Sequence, residues 1–490
     1  MSVNFSNNPM FHATFSEPFR VEADVFDLKV EGKLPADMDG AFYRVQPDFI
    51  YPPRYANDVP FNGDGHVSMF RFANGHVDFK CRYVQTQRYK AQAAARKALY
   101  GTYRNRETDD PSVRKLSGGT ANTNLIFHAG KLFALKEDSP PVRMDPNTLE
   151  TLDDYYTFNG KMQSETFTAH PKLDPLSGEM FALNYEAKGN ASKDVAIYSF
   201  DSKGAVNWEA WIKVPYAGMI HDFALTQKHI AFLVIPMAVN LEQMKKGGVH
   251  FAWDSTLPTW LGVLERGGDG SDLRWFKGPE QSATHVMNSF SDGSKIYMDM
   301  DMSTGNQFPF FPMLHEPYDM QRASGRMTRL SVDLSGKATT YDKEVMYPEI
   351  GVLPRTDERY WSLPYKVGFM QVMDLTRPMD PSLTGNTGLV LNTWTRFDHD
   401  RRKSTSFLVD NVSSLQECQF VPRSKDAPEG EGYLIGVCNR HLERRSDLLI
   451  LDAQHLGEGP IATVKLPLRL RNGVHGHWVM GAALRAARVV

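Results

Sequence analysis

The chain has 490 residues, of which 41% are hydrophobic and 23% charged, and its 55 Lys and Arg against 58 Asp and Glu give a net charge of −3. This is the composition of an ordinary globular protein, so disordered and collagen-like classes are excluded. The balanced charge offers no basic surface for DNA or RNA, and we expect no nucleic-acid partner.

The cysteines and the N-terminus indicate the compartment. Cys81, Cys418 and Cys438 are too few and too widely spaced for a disulfide framework, which favours a reducing environment. Residues 1–10 lack the basic and apolar regions of a signal peptide. No stretch approaches the roughly 18 to 20 apolar residues of a membrane span. We therefore expect a cytoplasmic protein without stable membrane insertion.

Most of the chain has the pattern of short strands separated by turns. The first clear hairpin is predicted at residues 71–79, where Asn74 and Gly75 interrupt alternating apolar residues. Residues 90–99 have high helix propensity and predict a helix that ends in a loop near Gly101. Units of a turn followed by an apolar strand start further on, at His128, Leu176, Leu225, Ser291 and Glu431.

These units recur at a loose interval. Equivalent turns are marked by Gly130, Gly178, Lys228 and Gly293, at steps of 48, 50 and 65 residues. Regular propeller repeats are about 40 to 50 residues long, so the pattern favours a degenerate β-propeller. Because no low-complexity linker interrupts the chain, we expect one domain over residues 1–490, with insertions at about 86–120 and 303–325.

A segment rich in Phe and Pro, residues 308–314, departs from the strand pattern. It cannot be an interior strand, because proline removes donors from the hydrogen-bond ladder. It could line an apolar tunnel, lie on a membrane surface or form a packed core loop. The sequence leaves these three alternatives open.

Four histidines stand on or beside apolar, strand-like runs: His170, His221, His285 and His475. They are 51, 64 and 190 residues apart, so no single helix or zinc-finger loop could collect them, and only a closed, roughly radial fold would. Neutral imidazole is a good ligand for Zn, Cu, Fe or Ni. We therefore predict one metal site. The alternative, for each histidine taken alone, is a core residue that is hydrogen-bonded to its neighbours.

Short motifs along the chain resemble those of the carotenoid cleavage oxygenases. The similarity runs from about Phe26 to Trp478 and is carried by residues 40–44, 61–65, 168–171, 221–223, 417–423 and 474–476. The resemblance implies an all-β fold, a seven-bladed β-propeller with a helix and loop cap over an axial iron site. It also implies one Fe(II) per chain, held by the four histidines, with O₂ as cosubstrate. His477 would point the same way as His475 on a strand and is the alternative fourth ligand.

In that family, carboxylates orient the ligand imidazoles, as metal-bound histidine generally requires. Glu137 and Glu417 match two such positions. At the third position this chain has Val352 where the family has Glu. Glu349, three residues upstream, is the candidate replacement. The alternative for each glutamate is a solvated surface charge.

Within the family, the chain is most similar to the bacterial branch that cleaves lignostilbenes and isoeugenol. The similar segments are residues 99–105 and 136–140. In that branch a Tyr and a Lys hold the 4-hydroxyl of the substrate, and they match Tyr103 and Lys136, whereas Phe61 matches an aromatic residue that packs on the substrate. The alternative is a surface lysine and a core tyrosine. The relatives further imply a homodimer.

This resemblance implies a chemistry. Lys136 and Tyr103 would stabilise a phenolate by charge and hydrogen bonding, and its electrons would activate the alkene toward oxygen, so that a 4-hydroxystilbene gives two aromatic aldehydes such as vanillin or 4-hydroxybenzaldehyde. We thus predict a dioxygenase with a small phenolic alkene as substrate. The alternatives are cleavage of isoeugenol-type phenylpropenes, cleavage of carotenoids or apocarotenoids, and a catalytically silent propeller that acts as a scaffold.

Overall fold

The structure, a computed structural model, describes residue 5 and residues 11–56, 58–384 and 391–487. The expectation that the chain has no signal peptide rests on residues 1–10, and all of these except Phe5 lie outside the described part. Among the described residues, no helix has both the length and the apolar character needed to cross a membrane.

Strands dominate the described part of the chain. In chain order the first are β1 (Ala23–Val25), β2 (Val30–Gly32), β3 (Gly40–Asp48), β4 (Asp64–Ala73), β5 (His76–Tyr83), β6 (Asn124–His128), β7 (Lys131–Leu135), β8 (Val142–Met144), β9 (Thr151–Asp153), β10 (Lys172–Leu173) and β11 (Met180–Asn184). They are followed by β12 (Asp194–Phe200), β13 (Val206–Lys213), β14 (Phe223–Leu225), β15 (His229–Val234), β16 (Met237–Val239), β17 (Phe251–Trp253), β18 (Trp260–Glu265), β19 (Arg274–Lys277), β20 (Ser282–Asp292) and β21 (Lys295–Ser303). The last are β22 (Arg326–Asp333), β23 (Asp342–Thr356), β24 (Val367–Val372), β25 (Thr393–Asp398), β26 (Lys403–Leu408), β27 (Ser413–Pro422), β28 (Gly432–Arg440), β29 (Arg445–Asp452), β30 (Pro460–Lys465) and β31 (Gly476–Met480). The helices are α1 (Gln87–Ala95), α2 (Leu241–Lys245), α3 (Pro381–Thr384) and α4 (Gly481–Ala486).

The strands form antiparallel sheets in which most neighbours in space are also neighbours in sequence. Two sheets of four strands run in chain order, β6 to β9 and β10 to β13, and a seven-stranded sheet runs from β20 to β26. The other orders are β14-β15-β18-β19, β16-β17, β2-β30-β29-β28-β27 and β1-β5-β4-β3-β31. The predicted all-β class is confirmed by this architecture.

The chain divides into two compact units. One comprises residues 1–156, 371–396 and 404–490, and the other comprises residues 157–370 and 397–403. In the first unit, β31 pairs with β3, so strands from the two ends of the chain lie in one sheet.

Two hydrophobic clusters of the first unit lie on opposite faces of that sheet. Successive side chains of a strand point to opposite faces, and β3 shows the result: Phe42 belongs to one cluster, whereas Ala41, Tyr43 and Val45 belong to the other. Every residue of β3 is buried. The sheet is therefore covered on both faces, which explains why β3 does not alternate between apolar and polar residues.

The predicted local elements are mostly confirmed, with one displaced helix. The hairpin joins β4 to β5 through Asn74 and Gly75, both at positive φ. The helix predicted at residues 90–99 instead begins after Thr86, whose side chain accepts a hydrogen bond from the amide of Tyr89. It ends where Arg96 adopts the left-handed conformation. The prediction was thus about three residues too late.

The insertions and the irregular interval also have a structural basis. Residues 86–120 contain α1 and short 3-10 turns, and residues 304–325 lie between β21 and β22. Residues 308–314 form no strand, as predicted. The backbone N–H of Trp253 nevertheless donates to the Pro312 carbonyl, and the N–H of Leu314 donates to the Trp253 carbonyl. The long step of 65 residues contains β16, α2 and β17, which the other steps lack.

Candidate metal centre and phenol pocket

The four predicted histidines occupy equivalent places in the strand pattern. His170, His221 and His475 each stand one or two residues before a strand begins, at β10, β14 and β31, and His285 lies near the start of β20. His221 is half-buried and the other three are buried. Their apolar contexts therefore arise because each precedes or starts a buried strand.

The imidazoles converge. His221 Nε2 lies 3.2 Å from His170 Nε2 and 3.3 Å from His285 Nε2. One ligand nitrogen from each of the four histidines, with His475 rather than His477 as the fourth, lies within 4.8 Å of the others. Two nitrogens that bind one ion at about 2.1 Å, with an angle of about 100°, would be about 3.2 Å apart. This spacing is that of ligands around a single metal ion.

The Glu417 carboxylate fixes the orientation of His475. The Nδ1–H of His475 donates to Glu417 Oε1 at 2.8 Å, and the backbone N–H of Gly476 donates to Oε2 at 2.8 Å. Because the proton is held on Nδ1, Nε2 keeps the lone pair that a metal ion would bind. Four neutral nitrogen donors of this kind fit Fe, Cu, Zn or Ni, so the residues present fit a metal site.

His285 and Glu417 both lie in β-bulges. Thr284 and His285 together oppose Asp301 alone, because the register of β20 against β21 shifts between Ala283 and Val286. The register of β27 against β28 likewise shifts between Leu415 and Cys418. A bulge re-aims side chains relative to a regular strand. In both strands it sets the direction of a side chain at the site.

Asp222, next to His221, connects the three histidine segments of the second unit. Its carboxylate accepts hydrogen bonds from the backbone amides of Phe223 at 2.7 Å and Val286 at 2.8 Å, and it lies 2.7 Å from Lys172 Nζ. Lys172 follows His170 by two residues and Val286 follows His285. Asp222 therefore connects the chain segments that carry His170, His221 and His285.

The other two predicted carboxylates are those of Glu137 and Glu349. Glu137 is buried two residues after the end of β7, and Glu349 is half-buried in β23. Their roles toward the histidines stay predictions. Val352, in the position where the resemblance implies Glu, also lies in β23.

A second cluster brings together the three residues predicted to bind a phenol. Lys136 Nζ lies 5.0 Å from the ring centroid of Tyr103 and 5.9 Å from that of Phe61, and it donates to the Phe61 carbonyl at 3.4 Å. Tyr103 and Lys136 are buried and Phe61 is half-buried. The alternative of a surface lysine is therefore wrong, whereas the roles of these residues in binding stay predictions.

A polar network holds this cluster in place. Asp58 Oδ1 accepts from the Tyr103 amide at 2.9 Å, and Asp58 Oδ2 accepts from Asn62 Nδ2 at 2.5 Å. Arg88, on α1, donates to the side-chain and backbone oxygens of Asn62 at 2.9 and 2.7 Å. Asn122 Nδ2 donates to the Phe61 carbonyl at 2.7 Å. The backbone that carries the rings of Phe61 and Tyr103 is therefore held by hydrogen bonds from several side chains.

The charge of Lys136 is sensitive to its surroundings. Burial lowers the pKa of this ammonium group, and the carboxylates of Glu137 and Asp138 act in the opposite direction. Burial also raises the pKa of Asp138, which Lys136 opposes. Lys136 therefore gives up its proton more readily than an exposed lysine, and an anion beside Nζ would favour the charged form again.

The segment rich in Phe and Pro contacts the histidine cluster. The ring of Phe308 lies edge-on to His221, with centroids 5.7 Å apart, and packs near Phe311, which in turn contacts Phe251. Of the three alternatives for residues 308–314, the described contacts favour an apolar lining next to the site or a packed loop.

Several residues of these sites were not predicted from the sequence. They are Asp58, Asn62, Arg88, Asn122, Asp222 and Asp301. Asp222 and Asn62 lie inside motifs that carry the family resemblance, so position next to a matched residue was the available signal. The others have no local signal, because their contacts join separate segments: Asp301 through strand register, and Asp58, Arg88 and Asn122 through loops and α1.

The comparisons with known proteins agree with this geometry. A family model described as retinal pigment epithelial membrane protein matches residues 16–480. Lignostilbene-alpha,beta-dioxygenase isozyme III of Sphingomonas paucimobilis is 43% identical over 96% of this chain and 97% of its own length. Isoeugenol monooxygenase of Pseudomonas putida is 40% identical over 96% of this chain and 98% of its own.

A solved structure extends the similarity to the fold. The lignostilbene dioxygenase of Pseudomonas brassicacearum has a TM-score of 0.95 and 40% sequence identity, and the match covers 98% of this chain and 100% of that one. These relatives are oxygenases, and the four-histidine cluster supplies the metal site that such an enzyme needs. The chain is therefore an oxygenase that uses O₂, and it belongs to the carotenoid cleavage oxygenase family, the family of the retinal pigment epithelial membrane protein.

Proposed function

We propose that this oxygenase uses Fe(II) to cleave the alkene between the two rings of 4-hydroxystilbenes. The observation that carries the proposal is the buried Lys136 beside Tyr103 and Phe61, since these groups suit a phenol and have no use with a hydrocarbon substrate. The similarity to a lignostilbene dioxygenase at 43% identity supports the same substrate class.

The phenol end of the substrate would bind at Lys136 Nζ. Lys136 takes up the phenolic proton, and the resulting ammonium pairs with the phenolate. The Tyr103 hydroxyl donates a second hydrogen bond to the same oxygen. Phe61 packs on the aromatic ring.

The iron would be held by His170, His221, His285 and His475, and it would supply the binding and activation of O₂. Lys136 keeps the phenolic oxygen deprotonated, so electron density is pushed through the ring onto the alkene. The double bond is replaced by two carbonyl groups, each of which takes one oxygen atom of O₂, and Lys136 returns the proton to the phenolic aldehyde. The protein thus contributes orientation and charge, and the metal contributes the oxygen chemistry.

Isoeugenol-type cleavage is the second candidate, because an isoeugenol monooxygenase is 40% identical to this chain. An isoeugenol molecule carries the same 4-hydroxyl as a hydroxystilbene, so Lys136 and Tyr103 would serve it equally well. The two substrates differ in the group on the far side of the alkene. A methyl group there buries less apolar surface than a second ring, and we expect a higher KM for isoeugenol.

Metal analysis and an aldehyde assay test the proposal together. Protein from iron-supplemented cells is analysed by mass spectrometry for metals and incubated with 4-hydroxystilbene, isoeugenol and an apocarotenal. We expect about one iron per chain and an aromatic aldehyde from 4-hydroxystilbene. Activity only on isoeugenol would mean that the substrates are phenylpropenes rather than hydroxystilbenes, and activity only on the apocarotenal would mean that they are apocarotenoids. Iron without oxygen consumption on any substrate, or no product after Fe(II) reconstitution, would favour the scaffold alternative.

The finer architecture is part of the same proposal. We propose that residues 1–490 form a single seven-bladed propeller, with residues 86–120 and 303–325 in its cap, and that the chain acts as a homodimer in the cytoplasm. Three buried free cysteines are compatible with a reducing compartment. Light scattering on the purified protein tests the dimer, and a crystal structure tests the number of blades.

A further inference from the structure

The carboxylate of Asp301 faces the β20 bulge that carries His285. Asp301 Oδ1 accepts hydrogen bonds from the backbone amides of Thr284 at 3.0 Å and His285 at 2.7 Å. Asp301 Oδ2 accepts from the Thr284 hydroxyl at 2.6 Å and lies 3.4 Å from His285 Nδ1. The Asp301 side chain is fully buried. One carboxylate therefore takes up both amides of the bulge and also reaches the imidazole.

This arrangement repeats that of Glu417 at His475. Each carboxylate places one oxygen on a backbone amide of the histidine segment and the other on Nδ1 of the imidazole. We infer that Asp301 is the positioning residue of His285. Its carboxylate holds the bulge that aims the imidazole and accepts a hydrogen bond from Nδ1–H, so that the lone pair of Nε2 is left to bind the metal. This inference rests on the metal site of the proposed function.

The inference also accounts for a departure in the sequence. Val352 has no acceptor for an imidazole N–H where the family resemblance implies Glu. Asp301 lies on β21, the strand paired with β20, and its position opposite the bulge lets a short side chain reach His285. Glu349 is then not needed for this role, and its replacement by Gln should leave the metal site unchanged.

Asp301→Asn tests the inference without removing the bulge contacts. The amide oxygen of Asn still accepts from the two backbone amides, whereas its NH₂ group faces Thr284 Oγ1 and His285 Nδ1 as a donor. Loss of such an outer partner typically lowers metal affinity about 10- to 100-fold. We therefore expect a Kd for Co(II) raised by about 10- to 100-fold, together with a changed visible absorption spectrum of the bound Co(II).

Asp299→Asn is the matched control. Asp299 is also a buried aspartate of β21, two residues away, but its carboxylate binds Arg329 and Tyr365. Its replacement should reduce stability and leave the Co(II) affinity and spectrum as in the unmodified chain. Urea unfolding of both variants without metal reports any general loss of structure.

The outcomes separate the inference from the proposed function. If the unmodified chain binds Co(II) and Asp301→Asn shows the same affinity and spectrum, the inference is wrong while the metal site stands. If Asp299→Asn changes the spectrum as much as Asp301→Asn, the effect is a general structural one and the inference is again wrong. If the unmodified chain binds neither Fe(II) nor Co(II), the proposed function itself fails.

Discussion

Replacement of Lys136 by Met removes the positive charge that we assign to the phenolate and keeps an unbranched side chain of similar length. Lys136 Nζ lies within 5.0 and 5.9 Å of the rings of Tyr103 and Phe61, and the side chain is buried, so water cannot easily take its place. A hydrogen bond to a charged group contributes about 1.5 to 3 kcal/mol. At about 1.4 kcal/mol for each factor of ten, its loss alone lowers kcat/KM by about 10- to 150-fold.

The loss of phenolate activation adds to this effect. We therefore expect Lys136→Met to lower kcat/KM for 4-hydroxystilbene by at least about 100-fold, to the point where turnover is abolished in an ordinary assay, while the iron content stays the same. The assay compares 4-hydroxystilbene with 4-methoxystilbene, whose methyl ether cannot be deprotonated. Enzyme variant and substrate variant then form a double-mutant cycle.

The cycle has a clear expected result. The unmodified enzyme should prefer the phenol, and Lys136→Met should lose that preference, since the charge has no partner in the ether. An equal loss of activity on both substrates would mean that Lys136 supports the fold rather than the phenolate. Loss of iron from the variant would refute the assigned role altogether.

Three further outcomes are expected. Glu417→Gln should lower Co(II) affinity about 10- to 100-fold in equilibrium dialysis, because its amide cannot accept both hydrogen bonds at His475 and Gly476; unchanged affinity would contradict the role of Glu417. Burial lowers the pKa of His399 to about 4, below its unfolded value of 6.5, so stability should fall by up to about 3 kcal/mol as pH drops through this window. Urea unfolding at both ends of the window should show a smaller change for His399→Gln. Asp58→Asn should reduce stability by about 1 to 3 kcal/mol and raise KM for 4-hydroxystilbene, because two amide groups would face each other at Asn62; a normal KM would separate this network from substrate binding.

The histidine cluster was predictable because each histidine accompanies the start of a buried strand, which leaves a local apolar signal. The alternation of residues within strands, however, carries no record of a bulge. Asp301 therefore could not be assigned from the sequence, since it becomes the partner of His285 only through a local shift of register. Glu349 was proposed in its place by proximity to Val352 along the chain.

Helix α1 was predicted from the sequence, but its ends were misplaced. The high propensity of residues 90–99 favours a later helix, but the cap at Thr86 and the left-handed Arg96 determine its ends. Thr is a typical N-cap residue, so Thr86 is a local signal that the sequence carries for the start of the helix. The contacts of Arg88 with Asn62 and of Tyr103 with Asp58 join segments 26 and 45 residues apart, so no local pattern could have indicated them.

The bulge at Thr284 and His285 has a consequence for how this enzyme tolerates change. Deletion of one of the two residues would restore one-to-one pairing opposite Asp301 and leave the pairs on either side as they are. The same deletion would remove His285 itself or leave its imidazole aimed as in a regular strand, without the direction that the bulge sets. Selection for thermal resistance alone would thus reward a shorter, more regular β20 that has lost its chemistry, and the irregularity persists only where oxygenase activity is itself under selection.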